Sequence, residues 1–432
     1  MAGVAGAALG AVDREFPLAQ AVRIHETPGE AVSTGNVHVV IVLPGRRPFR
    51  ASAPSLAHVR YRWGMEHEVD VVVIGAGQAG LVAAHELQRR GVVGYAASSL
   101  PSAQARASFV VLDAEAGPGG AWRHRWDGLT MKTVNHIAEL PGLHARLTDG
   151  EERASAYVAD YFGEYEDAFD LPVFRPVRVR SVHDDGARLR VRTSVGDFLA
   201  RVVMNCTGTW EAPFIPWYPG QQLFRGIQVH THDYKDPDLF WRKRTLVVGG
   251  GISALDHLDE VSRVTKHVFW ATRTPPRWRD PDDFSVGPAA GGLTAEAGRA
   301  IESRVRARTT AGLRPLPVVA ETGLPLNERV RDLARRGLLN RREMFDRLDR
   351  HGVWWGEDYL DLDAIIWATG FRANLRHLAP LHLRERGGGI VMDGSRVAKE
   401  PRVYLLGYGA SASTIGARRD ARIAVAQIVA GL

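Results

Sequence analysis

Two short glycine-rich turns hold the residues whose types and spacing point to chemistry. Gly75-Ala76-Gly77-Gln78-Ala79-Gly80 has the form G-x-G-x-x-G, and Gly249-Gly250-Gly251-Ile252-Ser253-Ala254 the form G-x-G-x-x-A. In this pattern the first glycine makes a tight turn and the second lets backbone approach a pyrophosphate. The third position, Gly80 or Ala254, lets a helix pack on its strand, and the N-terminus of that helix faces the phosphates. The chemistry implied is the binding of dinucleotides. The pattern means little without its setting, which here is right: VDVVVI precedes the first turn as a β-branched run, and LVAAHELQRR follows it at helical spacing without a breaker. TLVV leads into the second turn in the same way.

The residues at the ends of the next strands distinguish the two nucleotides. After the first turn, FVVLDAE places Asp113 where a carboxylate would accept hydrogen bonds from ribose hydroxyls, with Glu115 as a competitor. Its distance from the turn exceeds the usual roughly 20 residues, and an Ala-, Ser- and Gly-rich insert over 91–108 accounts for the excess. Gly117-Pro118-Gly119-Gly120-Ala121-Trp122 then lets the chain pass close to a bulky planar ligand, with Trp122 as its cover. Gly120 and Trp122 thereby favour FAD at the first turn. After the second turn, HVFWATR ends in Thr272 and Arg273. Arginine in place of an acid favours a 2'-phosphate, hence NADPH rather than NADH. Further contacts are expected at two threonine-glycine strand ends, Thr207-Gly208 and Thr369-Gly370. Ser411, Ser413 and Thr414 can cap a final helix, and its N-terminus, at Thr414 and Ile415, would suit the electron-rich pyrimidine end of a reduced isoalloxazine.

The chain that positions these groups has 432 residues, enough for two to three domains. Four segments are expected: a weakly ordered extension over 1–64, an FAD-binding part over 65–216, an NADPH-binding domain over 217–371, and a C-terminal return to the FAD domain over 372–432. Met65 would serve equally as a natural start, since the first nucleotide strand begins within five residues of it. The fold class is α/β, with two Rossmann-like units and the second inserted into the first. VRVRSV, ARLRVRTS and FLARVVMN read as an antiparallel meander that rejoins the parallel sheet. Residues 294–310 read as a short helix, and 329–352 as helical in two parts. The formal charge of +6 is carried almost wholly by arginine, since lysine occurs only at Lys132, Lys235, Lys243, Lys266 and Lys399. Without an arginine tract interleaved with stacking aromatics, nucleic acid is not the expected partner. No apolar run is long enough to span a bilayer. Cys206, the only cysteine, rules out disulfide frameworks, cysteine zinc sites and a dithiol redox pair, and it fits a reducing cytoplasm. No metal is expected.

Taken together, and in this order, five motifs resemble those of the flavin-containing monooxygenases, a group of single-component flavin-dependent monooxygenases. They are Gly75/Gly77/Gly80, Gly119-Gly120-Ala121-Trp122, the fingerprint Phe224/Gly226/His230/Tyr234-Lys235, Gly249/Gly251/Ala254, and Ala368-Thr369-Gly370-Phe371. The resemblance spans 65–432 and implies FAD and NADPH, a C4a-hydroperoxyflavin, and hydroxylation of a nitrogen or sulfur of a small molecule by O2. In the related Baeyer-Villiger enzymes the fingerprint closes with Trp-Pro or Trp-Asp. Tyr234-Lys235 here favours heteroatom hydroxylation. A Baeyer-Villiger oxygenase, an NADPH oxidase or reductase, and an inactive flavin-binding partner protein are the alternative readings, and a homodimer is the oligomeric expectation. The family places an asparagine on the loop after the Gly-Gly-x-Trp motif. This chain has Lys132 there and Asn135 three residues on, so no catalytic residue is assigned. His230 reads as a linker residue rather than an acid-base catalyst.

Overall fold

The computed structural model describes residues 66–95, 107–134, 137–279 and 295–432. The expected extension over 1–64, most of the insert after residue 91, and Asn135 lie outside the described residues.

Strand β1 (Glu66–Ile74) is the spine of the first unit. Val71, Val72 and Val73 are wholly buried because the strand is covered on both faces, which its unbroken β-branched run anticipates. It leads into helix α1 (Gln78–Arg89) and pairs in parallel with β2 (Ser108–Leu112). Helix α2 (Ala154–Ala168) buries Tyr157, Tyr161 and Tyr165 on one stripe at i, i+4 spacing. The Tyr161 and Tyr165 hydroxyls donate to the carbonyls of Leu143 (2.7 Å) and Pro141 (2.8 Å), and that of Tyr157 donates to Arg146. The stripe is thus core and tether together, fastening the loop that follows the Gly-Gly-x-Trp turn. Strands β3 (Val179–Asp185), β4 (Arg188–Thr193) and β5 (Asp197–Asn205) form the expected antiparallel meander, and β5 returns parallel to β1.

The chain then leaves to build a second, wholly parallel sheet. It consists of β6 (Ile227–His230), β7 (Thr245–Val248), β8 (Val268–Ala271), β9 (Arg341–Arg342) and β10 (Ala364–Trp367), in the spatial order β9-β8-β7-β10-β6. Helix α3 (Ile252–Val261) follows β7. Helix α4 (Ala295–Thr310) belongs to this stretch of sequence but packs toward the first unit, where Arg306 pairs with Asp420 at 2.8 Å. Helix α5 (Glu328–Arg335) is the only helical part of 329–352, where two were expected. Gly337, at φ +72°, ends it, and the arginine-rich continuation becomes the edge strand β9 against β8, with Phe345 and Leu348 buried beyond it. Tertiary pairing outweighs helical spacing there.

After β10 the chain returns. Strand β11 (Val403–Leu405) pairs in parallel with β5, Val403 opposite Val203, and helix α6 (Thr414–Gly431) lies beside α1. Ala421, Ala424, Val425 and Ile428 share one core with Leu81, Ala84 and Leu87. The result is two Rossmann-like α/β units, the second inserted between two neighbouring strands of the first.

Candidate functional site

The first turn forms one wall of a cavity of about 310 Å³, lined also by Asp113, Gly120, Trp122, Thr207, Gly208 and Ser413. Its shape suits a pyrophosphate. Gly77 caps α1 with no side-chain hydrogen bond and no acidic residue in the first turn, so the first N–H groups of the helix face the cavity unneutralised. A Cβ on Gly120 would stand 2.9 Å from the Gly77 Cα, and one on Gly80 would stand 1.8 Å from the Gly75 carbonyl oxygen. The slot is therefore as narrow as glycine permits. Gln78 and Ala79 line it, while Ala76 is packed into the core behind.

Asp113 is buried at the end of β2, and Arg175 Nε donates to its Oδ2 at 2.7 Å. The same guanidinium holds Glu166 through both of its other nitrogens. Burial pushes the Glu166 carboxyl up, against the pull of Arg175. Oδ1 of Asp113 has no hydrogen-bond partner among the described residues, which leaves it free for a ribose hydroxyl. Glu115, the competitor, is engaged instead by His124 at 2.9 Å. The hydroxyl of Thr207 donates to the Asn374 carbonyl (2.6 Å), and the Asn374 N–H donates to the Gly208 carbonyl (2.9 Å). The returning chain thus closes the cavity. Thr414 begins α6 and Ile415 follows it. The α6 cap is the Ser413 hydroxyl, which accepts from the Gly416 N–H at 3.0 Å, and Ser413 itself lines the cavity.

At the second turn, Gly251 caps α3, again with no side-chain cap and no acidic first turn. Ile252 and Ser253 are half-buried, and Ala254 is fully buried where a helix must meet its strand. A Cβ on Gly249 would stand 2.1 Å from the Ala368 carbonyl oxygen, so backbone from β10 packs directly against the turn. Thr272 lies beneath Gly250 and donates its hydroxyl proton to the Thr274 carbonyl (2.8 Å), while Arg273 is exposed at the strand end. The pair therefore divides into a residue that shapes the turn and an exposed cation.

Thr369 and Gly370 line neither this cavity nor the larger one described below. They sit where the chain returning after β10 meets the segment that leaves the first unit after β5. Thr369 donates to the Phe214 carbonyl, and the Gly370 carbonyl accepts from the Phe214 N–H (3.0 Å) and from His230 Nε2 (3.0 Å). His230 Nδ1 accepts from the His232 N–H, so the ring is neutral with its proton on Nε2, and burial holds its pKa below the usual value. That is the geometry of a linker residue. The rest of the fingerprint is structural too. Tyr234 is buried against Phe240 and His257, and its hydroxyl donates to Glu260 Oε2 at 2.8 Å. Trp126 Nε1 donates to Glu260 Oε1 at 2.7 Å, and Lys235 Nζ donates to the His124 carbonyl at 3.0 Å. Glu260, on α3, therefore ties the loop of the first unit to the second. No local pattern in the sequence marks it, nor Arg175, Asn374 or His377. His377 lines the first cavity and meets Asn205 Oδ1 at 2.6 Å.

A second cavity, of about 1080 Å³, shares Gly208, Thr209, Gly407, Ala412 and Ser413 with the first. Its other walls come from α4 and the segment after it, from Phe371 to Leu375, and from Arg384 and Gly388. Residues within 295–322 and 371–388 contribute to it, and none of the described residues of 129–140, Lys132 included, does. Cys206 is buried, and desolvation pushes its thiol far up, so it is an inert core group. Among the described residues no helix is long and apolar enough to cross a membrane.

A sequence profile of the pyridine nucleotide-disulphide oxidoreductase family matches residues 123–290. The solved flavin-containing monooxygenase of Stenotrophomonas maltophilia superposes with a TM-score of 0.68 at 35% identity, covering 84% of this chain and 99% of that one. The CzcO-like oxidoreductase of Geobacillus kaustophilus is 30% identical over 198 residues, 46% of this chain and 53% of the relative. The Arabidopsis thaliana flavin-containing monooxygenase FMO GS-OX2 is 29% identical over 242 residues, 47% of this chain and 49% of its own. These two matches thus span about half the length of each curated relative. The paired nucleotide folds and the near-complete match to a flavin-containing monooxygenase place this chain in the family of flavin-containing monooxygenases, oxidoreductases that use FAD and NADPH.

Proposed function

We propose that the protein is a monooxygenase that uses FAD, NADPH and O2 to hydroxylate a nitrogen or sulfur of a small molecule. One observation carries the reading: the large cavity shares a wall with the narrow one, which the first turn and Asp113 also line, at Gly208, Thr209, Gly407, Ala412 and Ser413. A substrate there would meet the ring end of a flavin whose ribose lies at Asp113. Tyr234-Lys235 in place of a tryptophan-led pair supports heteroatom chemistry over ketone oxygenation.

When bound, FAD supplies electron transfer from NADPH and the activation of O2. The chain supplies position. The α1 N-terminus and Gly75–Gly80 would hold the FAD pyrophosphate, Asp113 Oδ1 its ribose, and Gly120 and Trp122 its flank. The α3 N-terminus and Gly249–Ala254 would hold NADPH, with Arg273 on the 2'-phosphate. Trp210, in the lining of the narrow cavity, stacks on Phe371, in that of the large one, ring centroids 5.1 Å apart, and packs against His232 at 4.9 Å. On this reading the FAD-binding part comprises 65–216 and 372–432, and 217–371 carries the second nucleotide. The test is NADPH consumption and product mass with a panel of tertiary amines, thioethers and cyclic ketones. N-oxides or sulfoxides support the reading. Lactones from the ketones, or peroxide alone, overturn it.

A further inference from the structure

The large cavity is lined by cationic and by apolar side chains. Arg299, Arg314, Arg372, Arg384 and Arg419 line it, against Glu302 and Glu321. Both acids are already paired, Glu302 in part with the cavity's own Arg419. Glu302 is held by Arg306 (2.7 Å) and by Arg419, which also pairs with Asp420, and Glu321 has Arg304 at 3.6 Å. Among the described residues, Arg314, Arg372 and Arg384 have no carboxylate within 4 Å. Glu385 shares the hairpin with Arg384 and makes no ion pair with any of them.

Arg314 and Arg384 are brought together by design of the backbone. Arg314 Nε donates to the Gly388 carbonyl at 3.3 Å and Arg384 donates to the same oxygen at 3.0 Å. Leu313 bridges Gly388, and Arg384 bridges Ile390, so a tight hairpin lies against the strand-like segment after α4. A Cβ on Gly388 would stand 2.4 Å from Arg314 Nε, and one on Gly389 would stand 2.3 Å from the Leu313 carbonyl carbon. The run Gly387-Gly388-Gly389 is what admits this approach. Two guanidiniums of the cavity lining that share one neutral acceptor leave most of their N–H donors without a carboxylate partner, and a guanidinium fork fits a carboxylate. Arg372, stacked over Phe214 at 4.0 Å, adds a third cation, and burial together with its neighbours Arg314 and Arg273 depresses its pKa. Ile301, Val305, Leu316, Phe371 and Leu375 supply the apolar lining.

We infer that this cavity takes an organic anion, a substrate with an apolar body bearing the oxidisable heteroatom and a carboxylate clasped by Arg314 and Arg384. The inference rests on the function proposed above, and the same charge chemistry would also suit a phosphate of NADPH. The probes are 3-(methylsulfanyl)propanoic acid and its methyl ester, offered to the holoenzyme. Turnover is followed by NADPH consumption and sulfoxide formation, and binding by calorimetry. The acid should bind more tightly than the ester. Arg314→Ala and Arg384→Ala should each weaken the acid roughly tenfold, the loss of a charge-assisted hydrogen bond, and leave the ester unchanged. Arg386→Ala, on the same hairpin but outside the cavity lining, should change neither. Equal binding of acid and ester, or variants that weaken both alike, would overturn the inference. So would a matching rise in the KM for NADPH, which would assign the arginines to the cofactor. If neither probe is oxygenated, the proposed function fails, while the calorimetric contrast still decides the anion site.

Discussion

Glu260 should be the most sensitive single position for holding the two units together. It is buried, and its two oxygens accept from Trp126 Nε1 and the Tyr234 hydroxyl, one from the Gly-Gly-x-Trp loop and one from the fingerprint. Burial raises its pKa and the two donors oppose that rise, so the carboxylate and its partners form one satisfied unit. Glu260→Leu fills similar space but leaves both donors buried without an acceptor. Each orphaned group costs about 1–3 kcal/mol, so the expected loss is roughly 2–6 kcal/mol. At about 2–4 °C per kcal/mol for domains of this size, melting should fall by at least ~4 °C. Glu260→Gln keeps one acceptor and should lose less. A cycle of Tyr234→Phe and Glu260→Gln should show a coupling of about 0.5–3 kcal/mol, since the two side chains share one bond. The assay is thermal unfolding of the holoenzyme followed by tryptophan fluorescence and flavin release. A Glu260→Leu protein within about 0.5 kcal/mol of the parent, or zero coupling in the cycle, would refute the clamp.

Three further outcomes follow from the same geometry. Gly77→Val should give a folded protein that lacks FAD, because a Cβ at Gly77 meets no protein atom within 4 Å yet enters the slot, and flavin absorbance beside a normal melting curve checks it. Arg273→Ala should raise the KM for NADPH roughly tenfold and leave that for NADH unchanged, measured by initial rates of coenzyme oxidation. His257 is fully buried with Nδ1 unpartnered, and burial pushes its pKa down to about 3. The unfolded chain therefore binds the proton first, and stability is lost as pH falls from about 6.5 toward 3, by about 1.4 kcal/mol per unit at most. Denaturant melts across that range should be flatter for His257→Gln.

Much of this was legible in the sequence because it is local. The glycine turns, the strands before them and the acid or arginine after them are set by short-range sterics, and the acid and the arginine each lie at the end of the strand that carries them. The meander was legible from alternation alone. What was not legible depends on chain segments far apart in sequence. Asp113 reads as a free ribose acceptor until Arg175 is seen holding one of its oxygens. Thr369-Gly370 reads like Thr207-Gly208, yet the first pair packs against the Phe214 segment and the second lies at a cavity wall. Residues 274–330 carry no readable motif. The part of them described here acquires chemistry only when α4 docks beside α6 and Arg314 meets the Gly387–Gly389 hairpin. The helical spacing of 329–352 misleads after Gly337 because an open sheet edge beside β8 offers its backbone better partners.

The central claim is that this chain couples NADPH oxidation to the transfer of an oxygen atom from O2. It is tested most directly by turnover of the holoenzyme under isotopically labelled O2 in unlabelled water. The account predicts one labelled oxygen in the sulfoxide or N-oxide for each NADPH consumed. NADPH oxidation with no label in the organic product, the oxygen appearing only as peroxide, would contradict it.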